Sequence, residues 1–246
     1  MTIYNTDNKL MLVAHRGIAA YFPENTMSAF KAALVSDIDI LEIDIHRTLD
    51  NHLVVIHDDS IDRTSNGSGK IKDMTLAALQ QFDYGIIKDS KFEGATLPTL
   101  DEVIKLIRDY PQKLLIELKQ PQNYPGIESE LIDTLNAWGL PKDKVIVQSF
   151  NQKSIKKFFY MNEGYELGVL ISKKKYWYKL PPFKSIAAYA NYVNPNYALV
   201  TEKFLKSAHQ YRLSVMPYTV NEHEQAKSLQ ELGVDGLISD DPNEIL

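Results

Sequence analysis

Glu42 and Asp44 stand two residues apart inside an apolar run, and so do Glu117 and Lys119 in a second run. Residues two apart on a strand face the same side. Three carboxylates converging on one point repel strongly unless a cation sits among them. Oxygen-only ligands favour a hard ion, so the chemistry suggested is one divalent cation, Mg²⁺ or Ca²⁺, with Mn²⁺ as a further fit. The competing reading puts these acids outside a barrel, paired with helix Lys or Arg. Parity alone leaves both faces equally available. Two runs that each place acids amid apolar residues weigh towards the inside. His46 continues the face of Glu42 and Asp44. It is read as part of a hairpin turn rather than as a further ligand.

His15 and His57 are the candidates for proton transfer. Each ends an apolar run, and each has a charged neighbour, Arg16 or Asp58. Cleaving a phosphodiester needs a base for the incoming hydroxyl and an acid for the leaving oxygen. Imidazoles, with an ordinary pKa near neutrality, suit both tasks. Arg16 and Lys119 supply positive charge for a phosphoryl group. His52, His209 and His223 fall in a turn or on helical patterns and are read as surface residues.

The elements that must position these groups alternate. Candidate strands lie at 11–14, 40–45, 53–57, 114–118, 145–148, 167–171, 192–194, 215–219 and 236–239. Candidate helices lie at 25–36, 75–82, 100–109, 127–138, 152–163, 201–210 and 221–232. Such alternation points to a parallel sheet with helices outside. One strand is in excess of a (β/α)₈ TIM-type barrel. The link from 46 to 52 is too short for a parallel crossover, and Thr48-Leu49-Asp50-Asn51 reads as a turn. The 53–57 strand is therefore expected to fold back as an antiparallel hairpin. The fold class expected is a (β/α)₈ barrel, one domain over 1–246, with a small insertion after the second barrel strand, roughly residues 46–98. Catalytic groups of such barrels gather at the C-terminal strand ends.

Composition narrows the function classes. The net charge is −5 and the chain has no cysteine. Thiolate metal sites, disulfides and cysteine nucleophiles are excluded. The acidic balance argues against a nucleic-acid partner. No apolar run is long enough to span a membrane. The polar first nine residues lack the pattern of a signal peptide, so a cytoplasmic location is expected.

Taken together, His15-Arg16-Gly17, Pro23-Glu24-Asn25-Thr26, Glu42-x-Asp44, Thr48, Asp50, Val55-x-His57-Asp58 and Arg63-Thr64 resemble the glycerophosphodiester phosphodiesterase signature. The likeness continues through Leu97-Pro98-Thr99-Leu100, Ile116-Glu117-Leu118-Lys119, Ser149-Phe150, Thr219-Val220-Asn221 and Ser239-Asp240. It implies metal ligands at Glu42, Asp44 and Glu117, an acid/base pair at His15 and His57, and phosphate contacts at Arg16 and Lys119. It also implies attack of a glycerol hydroxyl on phosphorus, a cyclic phosphate, and glycerol 3-phosphate plus an alcohol as products. Three positions depart from the pattern. Asp37 and Asn51 stand where the family has glycine, and Tyr218 stands where it often has tryptophan. Asn tolerates positive φ, so the turn at Asn51 is expected to survive.

The alternative reading is a lysophospholipase D or other phospholipase that takes acylated substrates at the same site. The aromatic, Pro-rich stretch from Tyr176 to Phe183 sits in the connection after the sixth barrel strand and would serve that reading, against its alternative as an ordinary packed loop. The Lys173–Lys175 run beside it is read as a solvated loop. A non-catalytic binding protein on the same fold is a third class. Every expected catalytic position holds its usual residue type, which weighs against it. The partner expected is a small-molecule glycerophosphodiester, and a homodimer is compatible with the sequence.

Overall fold

The computed structural model describes residues 9–161 and 163–246. The expectations for residues 1–8, and for residue 162 in the helix expected over 152–163, lie outside the described residues. The strands are β1 (Met11–Ala14), β2 (Ile40–Arg47), β3 (Leu53–Val55), β4 (Lys113–Leu118), β5 (Val145–Ser149), β6 (Glu166–Ile171), β7 (Tyr192–Pro195), β8 (Ser214–Val215) and β9 (Gly236–Ser239). The helices are α1 (Met27–Leu34), α2 (Leu76–Leu79), α3 (Leu100–Ile107), α4 (Ile127–Trp138), α5 (Gln152–Met161), α6 (Lys173–Tyr176), α7 (Phe183–Ile186), α8 (Glu202–His209) and α9 (His223–Leu232).

The sheet runs β8-β7-β6-β5-β4-β2-β1-β9. Between β8 and β9 the backbone bonds Asp235 N to Val215 O (2.9 Å) and Ile238 N to Pro217 O (3.0 Å) nearly close it into a parallel barrel. β3 pairs with β2 antiparallel, Val55 opposite Ile45, as the short link requires. Thr48 N bonds His52 O at 2.9 Å, and Asn51 sits at φ 62°, so the Asn turn holds. β8 is shorter than the strand expected over 215–219. Pro217 has no N–H to give a ladder, and pairing resumes in the single bridge of Tyr218 to Asn196.

Alternation decides what the barrel encloses. Val13, Ile40, Leu115, Ile146, Tyr192, Met216 and Ile238 form one buried interior cluster. Two residues further along the same strands come His15, Glu42, Glu117, Gln148, Asn194 and Asp240. A period of two keeps these on the inward face, so the interior turns from apolar to polar towards the C-terminal strand ends. The carboxylates therefore lie inside. The outward set, including Leu41, Ile43, Leu114 and Ile116, packs against the helices in the main core. Phe30 on α1 is wholly buried there; removing such a ring costs about 3–5 kcal/mol.

Helix starts follow their caps. Thr26 accepts from Ala29 N ahead of α1, and Thr99 with Glu102 forms a capping box ahead of α3. β3 staples the segment that follows it to the barrel. Leu53 and Val55 enter the main core, whereas Val54 joins a satellite core with Ile56, Ile61, Ile71, Leu79, Tyr84 and Leu97.

Three local expectations are corrected. His46 does not sit in the turn: β2 runs on to Arg47, and His46 is wholly buried within it. Lys173–Lys175 form the one-turn helix α6 rather than a loop. His209 is half-buried, its Nε2 2.9 Å from Asp235 Oδ2, instead of standing free on the surface.

Candidate active site

The site begins with a sharp bend after β1. Arg16 and Gly17 both take positive φ, 60° and 81°. A side chain on Gly17 would meet Ala29 at 2.6–2.7 Å, so this position needs glycine twice over. Arg16 adopts a left-handed conformation that is costly for a non-glycine residue. Its backbone N–H donates to Glu42 Oε2 at 2.9 Å. Its guanidinium reaches Glu24 Oε1 at 2.8 Å and Asp44 Oδ2 at 3.2 Å.

Glu42, Asp44 and Glu117 are all buried, and each offers an oxygen within 4.8 Å of the other two. Like charges at that separation repel by about 3–4 kcal/mol per pair at an effective dielectric constant of 20. Burial pushes the Glu42 carboxyl well up, and the charges of Asp44 and Glu117 push it further. Glu117 is pushed up to about 7, chiefly by burial and then by Asp44. Burial also opposes ionisation of Asp44, but Lys119 and Arg16 outweigh it and hold this carboxyl below the usual range. Lys119 Nζ lies 2.7 Å from Glu117 Oε1 and 3.4 Å from Asp44 Oδ1. Asp44 Oδ1 is buried and accepts no hydrogen bond. A buried oxygen in that state, amid two further carboxylates, is the donor set a divalent cation takes. The residues present fit such an ion.

Two histidines flank this cluster in matching ways. His15 Nδ1 donates to Asp240 Oδ1 at 2.6 Å, and Asn221 Nδ2 holds the other oxygen of Asp240 at 2.6 Å. His57 Nδ1 donates to Asp58 Oδ1 at 2.7 Å, and Arg63 Nε holds the other oxygen of Asp58 at 2.6 Å. Arg63 also grips Glu24 with both terminal nitrogens, at 2.7 and 2.8 Å. Glu24 thus ties Arg63 to Arg16. Burial lowers the pKa of His57, an effect that Asp44 partly offsets.

His46 acts on His57 from below. Its Nε2 lies 3.1 Å from the His57 carbonyl, which can only accept, so Nε2 carries the proton. Nδ1 then accepts from Tyr124 OH at 2.8 Å. Burial lowers the His46 pKa to about 4, which keeps the ring neutral. Asn25, expected as a helix residue, instead takes φ 55° and donates to Asp44 Oδ2 at 3.0 Å.

All seven residues singled out from the sequence, His15, Arg16, Glu42, Asp44, His57, Glu117 and Lys119, therefore meet at one end of the barrel. Six of them line a cavity of about 170 Å³ whose far wall includes Phe150, Leu170 and Tyr218. Asp44 lies beneath, fully buried. A second hollow of about 470 Å³ shares His57, Glu117, Lys119 and Phe150 with it and opens between the hairpin and the β4 and β5 connections. Sequence reasoning assigned no role to Glu24, Asn25, Asp58, Arg63 or Asp240. All are polar residues within or beside the matched stretches, but their pairings span up to 225 residues.

Comparison with known proteins agrees with this geometry. The model of the glycerophosphoryl diester phosphodiesterase family matches residues 15–244. A glycerophosphodiester phosphodiesterase of Caldanaerobacter subterraneus subsp. tengcongensis is 36% identical over 241 residues, covering 97% of each chain. One from Bacillus altitudinis is 34% identical over 234 residues, 94% of this chain and 95% of that one. Among solved structures, an Oleispira antarctica phosphodiesterase in complex with the product sn-glycerol-3-phosphate superposes with a TM-score of 0.86 at 26% identity, covering 96% of this chain and 94% of that one. The barrel fold is thus shared with a solved phosphodiesterase, and this chain belongs to the glycerophosphoryl diester phosphodiesterase family.

Proposed function

We propose that the protein hydrolyses glycerophosphodiesters to glycerol 3-phosphate and an alcohol, using one divalent cation. The observation that carries this reading is the buried Glu42, Asp44, Glu117 cluster between two histidines, each tethered to a carboxylate. The names of the relatives and the product held by the Oleispira antarctica structure support the substrate class.

The three carboxylates would hold Mg²⁺ or Ca²⁺, with Mn²⁺ as a further candidate. Bound there, such an ion would supply positive charge that polarises the phosphodiester and acidifies the attacking hydroxyl. Arg16 and Lys119 hold the phosphate; both ammonium and guanidinium already lie at the cluster. Nδ1 of each histidine is committed to a carboxylate, which leaves Nε2 of His15 and His57 for the proton transfers. One takes the proton from the glycerol hydroxyl next to the diester as that hydroxyl attacks phosphorus. The other protonates the departing alcohol oxygen. Water then opens the cyclic phosphate with the two roles exchanged. Asp240 and Asp58 accept from Nδ1 of each ring, so the ring acting as base presents a bare Nε2, and the ring acting as acid starts as the imidazolium and gives up its Nε2 proton.

One observation favours acylated substrates as a second reading. Phe150, 46% exposed, stands edge-on to Tyr218 at 5.9 Å and gives the cavity an open apolar wall. Both readings are tested by one panel: glycerophosphocholine, glycerophosphoethanolamine and lysophosphatidylcholine, each with Mg²⁺, Ca²⁺, Mn²⁺ or chelator. Glycerol 3-phosphate from the first two, only with metal, is the expected result. Faster turnover of the lysophospholipid would favour the second reading, and no product from any substrate would refute both.

A further inference from the structure

Between Glu166 and Glu202 the chain has no acidic residue and carries five lysines, Lys173, Lys174, Lys175, Lys179 and Lys184. The whole protein has a net charge of −5, so the rest of it carries −10 against this +5 segment. The charge separation is a feature of the molecule that the hydrolytic chemistry does not use.

The same segment exposes aromatic surface. Trp177 is 72% exposed and Tyr178 62%, their rings edge to face at 5.4 Å, with Leu180 beside them. Large rings are normally where a fold gains burial. Here they stay in solvent although the segment is firmly anchored on both sides. Tyr176 and Phe183 are buried, and the Phe183 ring meets Phe204 at 4.9 Å. Lys179 and Lys175 lie over the rings of Tyr178 and Tyr176 at 5.2 and 5.4 Å. The result is a fixed crown of amphipathic rings amid lysines, the composition that settles at a membrane–water boundary.

Its place in the fold matters. The segment leaves the barrel at Ile171, whose carbonyl accepts from Tyr218 OH at 3.2 Å. Tyr218 and Leu170 line the inner cavity. The crown therefore rises from the rim of the candidate active site.

We propose that this face docks the protein on anionic lipid surfaces, with the cavity mouth turned towards the headgroups. Charge complementarity selects the partner: the lysines attract anionic headgroups, and the acidic remainder of the chain repels them, so one orientation is favoured. Trp177, Tyr178 and Leu180 then enter the headgroup layer. Nucleic acid shares the phosphate charge but offers no apolar layer for Leu180. The inference stands apart from the hydrolase reading, because binding is measured without turnover.

The test uses the full chain with Trp138→Phe, which leaves Trp177 as the sole tryptophan. It is mixed with phosphatidylcholine vesicles, with or without phosphatidylglycerol. Sedimentation with the anionic vesicles alone, a blue shift of Trp177 emission, and release by high salt are expected. Each lysine near such a surface is worth about fivefold in partitioning, so Lys173→Glu/Lys174→Glu/Lys175→Glu should weaken binding at least about 100-fold. Trp177→Ala/Tyr178→Ala should weaken it without altering the salt dependence. Circular dichroism verifies that the variants fold. Absence of vesicle binding by the parent, or equal binding by the triple variant, overturns the proposal. So does a blue shift that grows with protein concentration alone, which would mark self-association, or one produced by an oligonucleotide and not by vesicles.

Discussion

The two ends of the barrel use the same kinds of residue to opposite effect. At the N-terminal end, Lys113 Nζ meets Glu166 Oε2 at 2.7 Å, and Tyr192 OH donates to the same oxygen at 3.3 Å. Asp235 accepts from Val215 N at 2.7 Å and from His209. Each acid there has a partner of its own, and the groups remain partly open to water. At the C-terminal end three carboxylates are buried together, with Arg16 and Lys119 shared among them. The first arrangement is complete as it stands. On the function proposed above, a divalent cation and a phosphate would complete the second, so strain concentrates where binding would relieve it.

That contrast can be broken by substitution. The largest effects are expected at the crowded end. Glu42→Gln or Glu117→Gln should lower turnover about 10³-fold or more, because a Lewis-acid cation is worth several kcal/mol in the transition state. In the metal-free parent the raised pKa values of these carboxyls destabilise the fold at neutral pH, a cost that glutamine lacks, so the same variants should melt at a higher temperature than that parent. A lower melting temperature would show that the cluster is already satisfied without metal.

His15→Ala and His57→Ala should each cost about 10²-fold in kcat/KM. Wild-type rates in either variant would remove that ring from the mechanism. His46→Phe keeps the volume roughly but loses the bond to the His57 carbonyl. It should lower kcat about 10-fold with KM little changed, the scale of lost support behind a catalytic group. An unchanged kcat would reduce His46 to core packing.

The smallest effects belong to the other end. Glu166→Gln should alter stability by under about 1 kcal/mol and leave turnover alone. His209→Gln should do the same, with a pH signature. The hydrogen bond to Asp235 raises the His209 pKa. A raised folded value gives stability below the unfolded pKa, and that stability is lost as pH rises through the folded one. The variant should therefore be weaker than the parent at acidic pH and equal to it at alkaline pH. A difference that grows with pH would contradict the assignment.

Much of this was legible before any coordinates. Strand–helix alternation and the too-short link after β2 pointed to the barrel and the hairpin, and the parity of Glu42 and Asp44 singled out side chains that the fold brings together. Parity could not choose inside from outside. The interior cluster through Ile40 and Leu115 does so by placing the acids next along the inward face. What stayed hidden depends on contacts remote in sequence. Asp240 meets His15 because β9 closes on β1, 225 residues away. His46 looked like a turn residue until Tyr124, 78 residues on, and the carbonyl of His57 gave it partners. Asn25 looked helical because Thr26 caps the helix one residue later; only the fold shows it holding Asp44.

The most direct measurement is calorimetric titration of metal-stripped protein with Mg²⁺, Ca²⁺ or Mn²⁺, run beside Glu117→Gln and followed by assay of glycerophosphocholine hydrolysis. One ion bound per chain, lost in Glu117→Gln, with hydrolysis restored only as the site fills, is the result expected. Full hydrolysis by protein that binds no metal, in the presence of chelator, would contradict the account.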